Sequence, residues 1–157
     1  MKSFTKMFTA IAVFLILVMA GSNAYAFFGG KFKTLQPKDG KLYIPVKDVS
    51  DGKAHYFKTK SDGGTMVDFF LVMSADGVIR AAIDACDVCY RAGKGYVQKG
   101  NVMVCVNCGR RFGLDRINEV KGGCNPAPLT RVIEGENIVI PMTDVNANAW
   151  LTEYKYK

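Results

Sequence analysis

Residues 86–108 read CDVCYRAGKGYVQKGNVMVCVNC and hold two Cys-x-x-Cys pairs that are separated by 15 residues. Two pairs at this spacing are typical of tetrathiolate metal sites, in which each pair forms a turn that presents two sulfurs on one side. Lys99-Gly100-Asn101, between two short apolar runs, predicts a hairpin that brings the two turns together. The predicted ligands of one metal centre are Cys86, Cys89, Cys105 and Cys108.

Four thiolates do not by themselves select the metal. Zinc, a single iron and an iron–sulfur cluster all accept four cysteines. Copper is disfavoured because its sites usually include imidazole or thioether ligands. The sole histidine, His55, lies in an alternating strand pattern and is predicted to be a structural or surface residue. A c-type haem is excluded because Tyr90 and Gly109, rather than histidines, follow the two pairs.

The fifth cysteine, Cys124, lies in the segment GGCNPAP at residues 122–128, where two glycines and two prolines predict a rigid, tight loop. Its thiol has three interpretations: a fifth or replacing metal ligand, a resolving thiol, or a small buried residue. The sequence leaves these three open, although a loop of this type suits a close approach of the backbone to a cluster.

The residues beside the cysteines predict a site that excludes water. Aromatic and thioether side chains are expected to form its apolar shell: Tyr90, Tyr96, Met103 and Phe112. Gly109 follows Cys108 at a position where such a turn often needs a positive φ. Arg110 and Arg111 come next, where they balance a negative tetrathiolate, face an acidic partner, or are simply solvated.

Residues 1–26 have the layout of a secretory signal peptide. Lys2 and Lys6 precede an apolar run at residues 8–20, and Ala24-Tyr25-Ala26 provides the small residues of a cleavage site. An uncleaved N-terminal anchor is the alternative, although this apolar run is short for a membrane span. Residues 27–157 are then a single cysteine-rich metal-binding domain, exported to the periplasm or to the outer face of the cytoplasmic membrane.

Export raises an alternative to metal binding, because thiols in an oxidising compartment normally form disulfides. The odd number of cysteines argues against complete pairing, and a Cys-x-x-Cys bridge closes a loop too small to stabilise much. A thioredoxin-like site uses one such pair rather than two. Residues 27–157 carry 19 Lys and Arg against 14 Asp and Glu, scattered without a basic stripe, so no nucleic-acid partner is expected.

Short apolar runs between glycine turns predict an α+β fold that is rich in β-structure. Four early strands are expected to form an antiparallel meander, at residues 42–46, 54–60, 65–74 and 78–84. Pro45 favours an edge position for the first of them. Later strands are expected at residues 96–98, 102–104, 137–142 and 150–156. Residues 112–120 fit either a short helix or a strand.

One segment of the chain is echoed about a hundred residues later. Residues 44–49 read IPVKDV and residues 140–145 read IPMTDV. The two segments are either equivalent strand-to-turn units, each with its Asp side chain capping the turn that follows, or two β-segments that are similar by chance.

Four groups of residues together resemble the FtrD-like membrane iron–sulfur proteins. These are DACDVCY at residues 84–90, GKGY at 93–96, VCVNCGRRF at 104–112 and GGCNP at 122–126. Ile44-Pro45 with Asp48-Val49 and the segment IRAA at residues 79–82 extend the resemblance to roughly residues 41–145.

The resemblance implies an iron–sulfur or related metal centre at the outer side of the bacterial cytoplasmic membrane, associated with iron transport. By resemblance, the ligands are Cys86, Cys89, Cys105 and Cys108, with Cys124 in the accompanying loop. Many members of this family carry several membrane helices before this domain, whereas the present chain shows only the export segment.

The sequence therefore favours an exported protein that transfers electrons or handles metal, with membrane iron-transport or redox components as partners. No nucleophile–base–acid set is apparent, so an enzyme is not the favoured class, and no small-molecule substrate is evident. Two alternatives remain open. One is an interaction module held together by structural zinc, and the other is a periplasmic thiol-redox protein.

Overall fold

A computed structural model describes residues 30–157, so the predicted signal peptide or anchor lies outside the described part of the chain. Ten strands form three small sheets, and Met142–Ala147 forms α1, the one α-helix of the described residues. The predicted fold class, β-rich with antiparallel sheets, is confirmed. Within residues 30–157, no helix has the length and apolar character needed to span a membrane.

The first sheet contains most of the predicted meander. Its strands are β1 (Phe32–Thr34), β3 (His55–Lys60), β4 (Met66–Met73) and β5 (Ile79–Ile83), in the order β1-β3-β4-β5. The pairs β3–β4 and β4–β5 are antiparallel, as predicted, whereas β1 joins β3 in parallel. β4 is buried from Val67 to Val72, on both faces of the sheet, and Asp68 is the one charged residue in this buried stretch.

The first predicted strand of the meander belongs to a different sheet. β2 (Lys41–Pro45) pairs with β10 (Asn137–Pro141), which also pairs with β9 (Val132–Glu134), and β2 forms an edge as Pro45 indicated. The prediction that β2 joins the meander was wrong because apolar alternation indicates a strand but not its partner. In the structure, Leu42 and Ile44 lie opposite Ile140 and Ile138, a pairing across most of the chain.

The echoed segments are equivalent units that face one another across this sheet. After each proline the chain makes the same hydrogen bond to the partner segment: Val46 N–H donates to Glu136 O, and Met142 N–H donates to Gly40 O, both at 2.9 Å. Each segment then turns into helical structure, at Val46–Asp48 and in α1. The two aspartates differ in their partners. Asp144 accepts hydrogen bonds from Thr130 N–H and, at 3.4 Å, from the side-chain amide of Asn148 at the end of α1, whereas Asp48 lies 3.5 Å from Lys33 Nζ.

The third sheet contains the predicted hairpin between the cysteine pairs. β6 (Tyr96–Lys99) and β7 (Val102–Cys105) are antiparallel, and β8 (Arg111–Gly113) pairs with β7. The undecided residues 112–120 begin in β8 and continue in the 3-10 turn Leu114–Arg116.

The C-terminal residues 150–156 do not form the predicted strand. They begin in the 3-10 turn Ala149–Thr152 and continue as further turns. Trp150 and Tyr154 both pack edge-on against Tyr90, at centroid distances of 4.9 and 5.6 Å. Four-residue spacing brings two side chains to one side of a helical turn, whereas a strand would extend them along its length. This packing accounts for the difference from the prediction.

β4 separates two apolar cores because its side chains alternate between two faces. Phe69 and Leu71 belong to the first core, which includes the apolar residues of β2 and β10. Phe70 and Val72 belong to the second core, together with Tyr96 and Met103 of the β6–β7 hairpin. Cys86 and Cys105 are also members of this second core. The strand that divides the molecule therefore supports the cysteine region directly.

The pair Ile138 and Ile133 tests the first core, because these two residues are cross-strand partners with opposite exposure. Ile138 is fully buried, whereas Ile133 is 59% exposed. We expect Ile138→Ala to lower the free energy of unfolding by about 2–5 kcal/mol through lost burial and a residual cavity. The matched control Ile133→Ala should change it by less than about 0.5 kcal/mol. Urea titration measures both, and equal losses would contradict the assignment of this core.

Candidate metal centre

The first cysteine turn begins where β5 ends. Cys86 is buried, and Cys89 is half-buried three residues further on. The backbone N–H of Cys89 donates to the Cys86 sulfur at 3.3 Å, and Tyr90 N–H donates to the Cys86 carbonyl at 3.0 Å. These bonds wrap the chain around the Cys86 sulfur. A donor aimed at this sulfur stabilises a thiolate there.

The second cysteine turn joins β7 to β8. Cys105 is the buried last residue of β7, whereas Cys108 is exposed in the turn. Gly109 N–H donates to the Cys105 carbonyl at 2.9 Å, and Gly109 has the positive φ, +73°, that the sequence predicted. Arg110 O accepts a hydrogen bond from Cys105 N–H at 2.9 Å, which closes the turn.

Cys124 reaches the same region from a separate loop. Its thiol is half-buried, and Tyr96 O–H donates to its carbonyl oxygen at 2.6 Å. The side-chain amide of Asn125 donates to Gly122 O at 3.0 Å, a hydrogen bond that joins the residues on either side of Gly123 and Cys124. Tyr96 therefore connects the hairpin to the Cys124 loop.

The five thiols form two overlapping groups of three. The first group is Cys86, Cys89 and Cys124, and the second is Cys89, Cys105 and Cys108. Within each group, all sulfurs lie within 4.8 Å of one another. Cys89 is common to both groups. The structure thus brings the four predicted ligands together and adds Cys124 to them. The assignment of these thiols as metal ligands stays a prediction.

The donor set consists of soft ligands only. Among the described residues, neither histidine nor carboxylate joins the two thiol groups. His55 lies on β3, where its Nε2 is 2.7 Å from an Asp51 carboxylate oxygen. Thiolates without imidazole suit an iron–sulfur cluster, a single iron or zinc. The residues present therefore fit the group that the cysteine spacing predicted.

The acidities of the thiols differ according to their surroundings. Burial raises the pKa of Cys105 to about 11. Burial and the neighbouring Cys108 raise the pKa of Cys124 to about 12. The backbone N–H of Arg110 donates to Cys108 and lowers its pKa to about 7. In the metal-free chain, Cys108 is thus the readiest of these three to become a thiolate, which is the form that binds metal.

Three of the four predicted neighbours lie directly beside the thiols. Tyr96 is buried and packs edge-on against Phe112 at 6.3 Å between centroids, and both contact the core that contains Cys86. Gly109 forms the turn described above. Tyr90 instead packs mainly against Trp150 and Tyr154 of the C-terminal segment. It still lines the same small internal cavity as Cys86 and Cys89.

A buried charge network beside the centre was missed by the sequence analysis. Asp84 and Asp68 are fully buried, and Lys155 Nζ lies 2.8 Å from a carboxylate oxygen of each. Tyr96 N–H donates to Asp84 at 2.7 Å, and Lys31 Nζ is 3.6 Å away from Asp84. Because desolvation opposes the charged form, burial raises the pKa of Asp84, and the two lysines counteract that rise.

The sequence contained one signal for this network. Asp84 is the last residue of the predicted strand VIRAAID at residues 78–84 and stands two positions before Cys86. The sequence therefore places a carboxylate between this strand and the first cysteine turn. The position of Asp84 also explains the second glycine of GKGY, Gly95, because a Cβ there would overlap the Asp84 carboxylate. Lys155 had no such signal, since its place beside Asp84 depends on the path of the C-terminal segment.

Alkylation of the metal-free, reduced chain tests the acidity of Cys108. Since the thiolate is the nucleophile, the rate at Cys108 should rise with pH and reach half its maximum near pH 7. Cys105 should stay slow until strongly alkaline pH. Iodoacetamide labelling with peptide mapping by mass spectrometry measures both, and Cys108→Ala should abolish the fast phase. Faster labelling of Cys105 near neutral pH would contradict this expectation.

Lys155→Met tests the charge network. It leaves two buried carboxylates without their shared cation, which should cost about 3–5 kcal/mol at neutral pH. The folded-state pKa of Asp84 is already raised, and removing Lys155 raises it further. Protonation below that pKa removes the buried charge, so the loss should shrink as the pH falls.

Unfolding titrations of Lys155→Met and wild type at neutral and mildly acidic pH measure this change. The matched control is Lys157→Met, since Lys157 is exposed and lies 4.6 Å from the Tyr154 ring. This control should change the free energy of unfolding by less than about 0.5 kcal/mol. A loss in Lys155→Met that grows on acidification would be inconsistent with the network.

The chain was first compared with solved structures and with curated proteins. Among solved structures, the chain is similar to the crystal structure of the quaternary ammonium Rieske monooxygenase CntA in complex with an inhibitor, with a TM-score of 0.44 and 18% identity. That match covers 62% of this chain and 29% of the enzyme, so the chain spans less than a third of that protein's length. No curated protein matches the sequence.

The family match includes all five cysteines. The sequence model described as "Membrane iron-sulfur containing protein FtrD-like" matches residues 49–151, which cover both cysteine turns, the Cys124 loop and the strands that support them. This match confirms the resemblance seen in the sequence motifs. The chain belongs to the FtrD-like family of membrane iron–sulfur proteins.

Proposed function

We propose that this protein is an exported iron–sulfur electron carrier that works at the outer face of the cytoplasmic membrane with iron-transport components. Its family membership and its cluster of five thiols support the presence of a metal centre. The export segment and the family's association with membranes support the location. Electron transfer rests on the geometry of the thiol cluster.

The observation that carries the proposal is the graded exposure of the thiols. Cys86 and Cys105 are 1% and 2% exposed and belong to an apolar core, whereas Cys108 is exposed in the β7–β8 turn. A centre held there is shielded on its inner side and reaches the surface on one edge. When bound, an iron–sulfur cluster supplies one-electron oxidation and reduction, with a potential that depends on exposure and on hydrogen bonds to sulfur.

The chain contributes those hydrogen bonds and excludes water. Cys89 N–H donates to the Cys86 sulfur, and Arg110 N–H donates to Cys108. Donors of this kind stabilise extra negative charge on the sulfurs and so favour the reduced state. Tyr96 and Met103, both buried in the second core, keep solvent away from the inner side.

The surface around Cys108 suits a brief encounter with a redox partner. Val88 and Val106 lie inside the two cysteine turns and are 63% and 45% exposed. Arg110 and Arg111 are exposed next to the second turn. Small apolar contacts with charges at the rim are typical of transient electron-transfer complexes. The basic pair favours a partner with an acidic surface.

One observation favours thiol-redox activity as a second candidate. Within the second turn, Cys108 has a pKa lowered to about 7, whereas that of its partner Cys105 is raised to about 11. An acidic, exposed thiol next to a buried one can act as the nucleophile of a dithiol redox site, although here the acidic thiol is the second cysteine of the pair. This candidate requires thiols that are free of metal.

Metal analysis of the full chain, purified without oxygen, tests the proposal. We expect iron and acid-labile sulfide bound to the chain, a visible absorption band, and reversible one-electron reduction in voltammetry with a matching electron paramagnetic resonance signal. Iron without sulfide would indicate a single-iron electron carrier.

Three other results would reject the proposal, two of them entirely and the third for electron transfer alone. Stoichiometric zinc in a colourless protein that unfolds on chelation would instead indicate a structural zinc module. A metal-free chain with a reversible Cys105–Cys108 disulfide would support the thiol-redox candidate. Iron and sulfide without reversible reduction would retain the centre but reject electron transfer.

A further inference from the structure

The centre has five thiols within reach, whereas a tetrathiolate site uses four. Cys86 and Cys105 are both buried in the second core; Cys105 is the last residue of β7, and Cys86 follows the end of β5 by three residues. Cys89 belongs to both groups of three. The other four thiols belong to one group each, and of these four only Cys108 and Cys124 are not buried.

Cys108 and Cys124 also lie on the two segments best able to move a sulfur without moving a strand. Cys108 is in the exposed turn between β7 and β8, and Gly109 directly follows it with φ +73°. Cys124 follows Gly122 and Gly123, whose φ values are +81° and +65°. Glycine has the widest choice of backbone conformations, so each sulfur is next to an adjustable backbone position.

We propose that Cys108 and Cys124 are alternative fourth ligands of one metal centre whose other three ligands are Cys86, Cys89 and Cys105. This inference rests on the proposed function, because it requires that the thiols bind a metal. In one ligand set the fourth thiolate is the exposed Cys108. In the other it is Cys124, which is half-buried and packs against the second core.

The exchange is a substitution of one thiolate for another. The bond between the metal and the Cys108 sulfur breaks, and a bond between the metal and the Cys124 sulfur forms. The proton released by the Cys124 thiol is taken up by the Cys108 sulfur, directly or through water. No electron is gained or lost, and the ligand charge is unchanged.

The two ligand sets differ in how far the centre is open to solvent. With Cys108 bound, one ligand is at the surface between Val106 and Arg110, where a partner would make contact. With Cys124 bound, the fourth ligand is half-buried, and Cys108 becomes a free, exposed thiol. Since solvent exposure is one determinant of an iron–sulfur potential, the exchange would alter both the potential and the access of a redox partner.

Single and double alanine variants of the full chain test the inference. We expect Cys108→Ala and Cys124→Ala each to keep bound metal and labile sulfide, with a changed visible and electron paramagnetic resonance spectrum. The double variant should lose the centre. Cys89→Ala is the matched control, because it removes the thiol shared by both groups and should lose the centre by itself. Far-UV circular dichroism establishes that each variant is folded.

Labelling of the loaded wild-type chain provides a second test that needs no variant. Brief iodoacetamide treatment followed by peptide mapping should show about one labelled thiol per chain, divided between Cys108 and Cys124. Label at Cys124 alone, together with loss of the centre in Cys108→Ala, would overturn the inference in favour of a fixed set with Cys108. The mirror-image result would overturn it in favour of a fixed set with Cys124.

Two further outcomes are decisive. Protection of all five thiols, with loss of the centre in both single variants, would overturn the inference in favour of a site that uses five thiolates at once. A wild-type chain that binds no metal would instead reject the proposed function, and the alternative-ligand inference with it. Measuring the wild type first distinguishes these failures.

Discussion

The Asp84 carboxylate connects the parts of the chain on which the cysteine region depends. It lies at the end of β5, accepts a hydrogen bond from the first residue of β6 and forms an ion pair with Lys155 of the C-terminal segment. Burying a carboxylate is costly unless charge and hydrogen bonds compensate for it. Tyr96 N–H and the two lysines provide that compensation, so Asp84 links the first cysteine turn, the hairpin and the C-terminal segment. Gly95 completes the arrangement, because a side chain there would displace the carboxylate.

The cysteine region is built on the second core rather than on loops alone. Cys105 ends β7, Cys86 follows β5 by three residues, and the alternation of β4 places Phe70 and Val72 in the same core as both thiols. The remaining thiols lie in turns, where the chain has more freedom. This division gives a site with a rigid inner half and an adjustable outer half. The proposed electron transfer would use both halves, since rigidity limits reorganisation and the exposed edge allows contact with a partner.

Prediction from sequence succeeded where the signal is local. Strands β3, β4 and β5 and the β6–β7 hairpin follow from apolar runs bounded by glycine turns, and the positive φ of Gly109 follows from its position after a Cys-x-x-Cys pair. It failed where partners are distant in the chain. β2 pairs with β10 rather than with β3, and the C-terminal segment forms turns that pack on Tyr90 rather than a strand. Hydrophobic alternation is the same for a strand whatever its neighbour, so it cannot select between a near partner and a distant one.

The sequence by itself determined the chemistry of this protein: five soft thiols in a fixed order, the spacing of two turns, and the family motifs in which they stand. Only the tertiary structure decided the geometry in which that chemistry acts. It brought the Cys124 sulfur within 4.8 Å of those of Cys86 and Cys89, left Cys108 at the surface and placed Lys155 beside Asp84. The physical reason is that the sequence directly gives each residue's type and its neighbours along the chain. The burial of a side chain and its distance from other residues arise only when segments far apart in sequence pack into one core. The exposure and the acidity of the thiols both depend on that shared core.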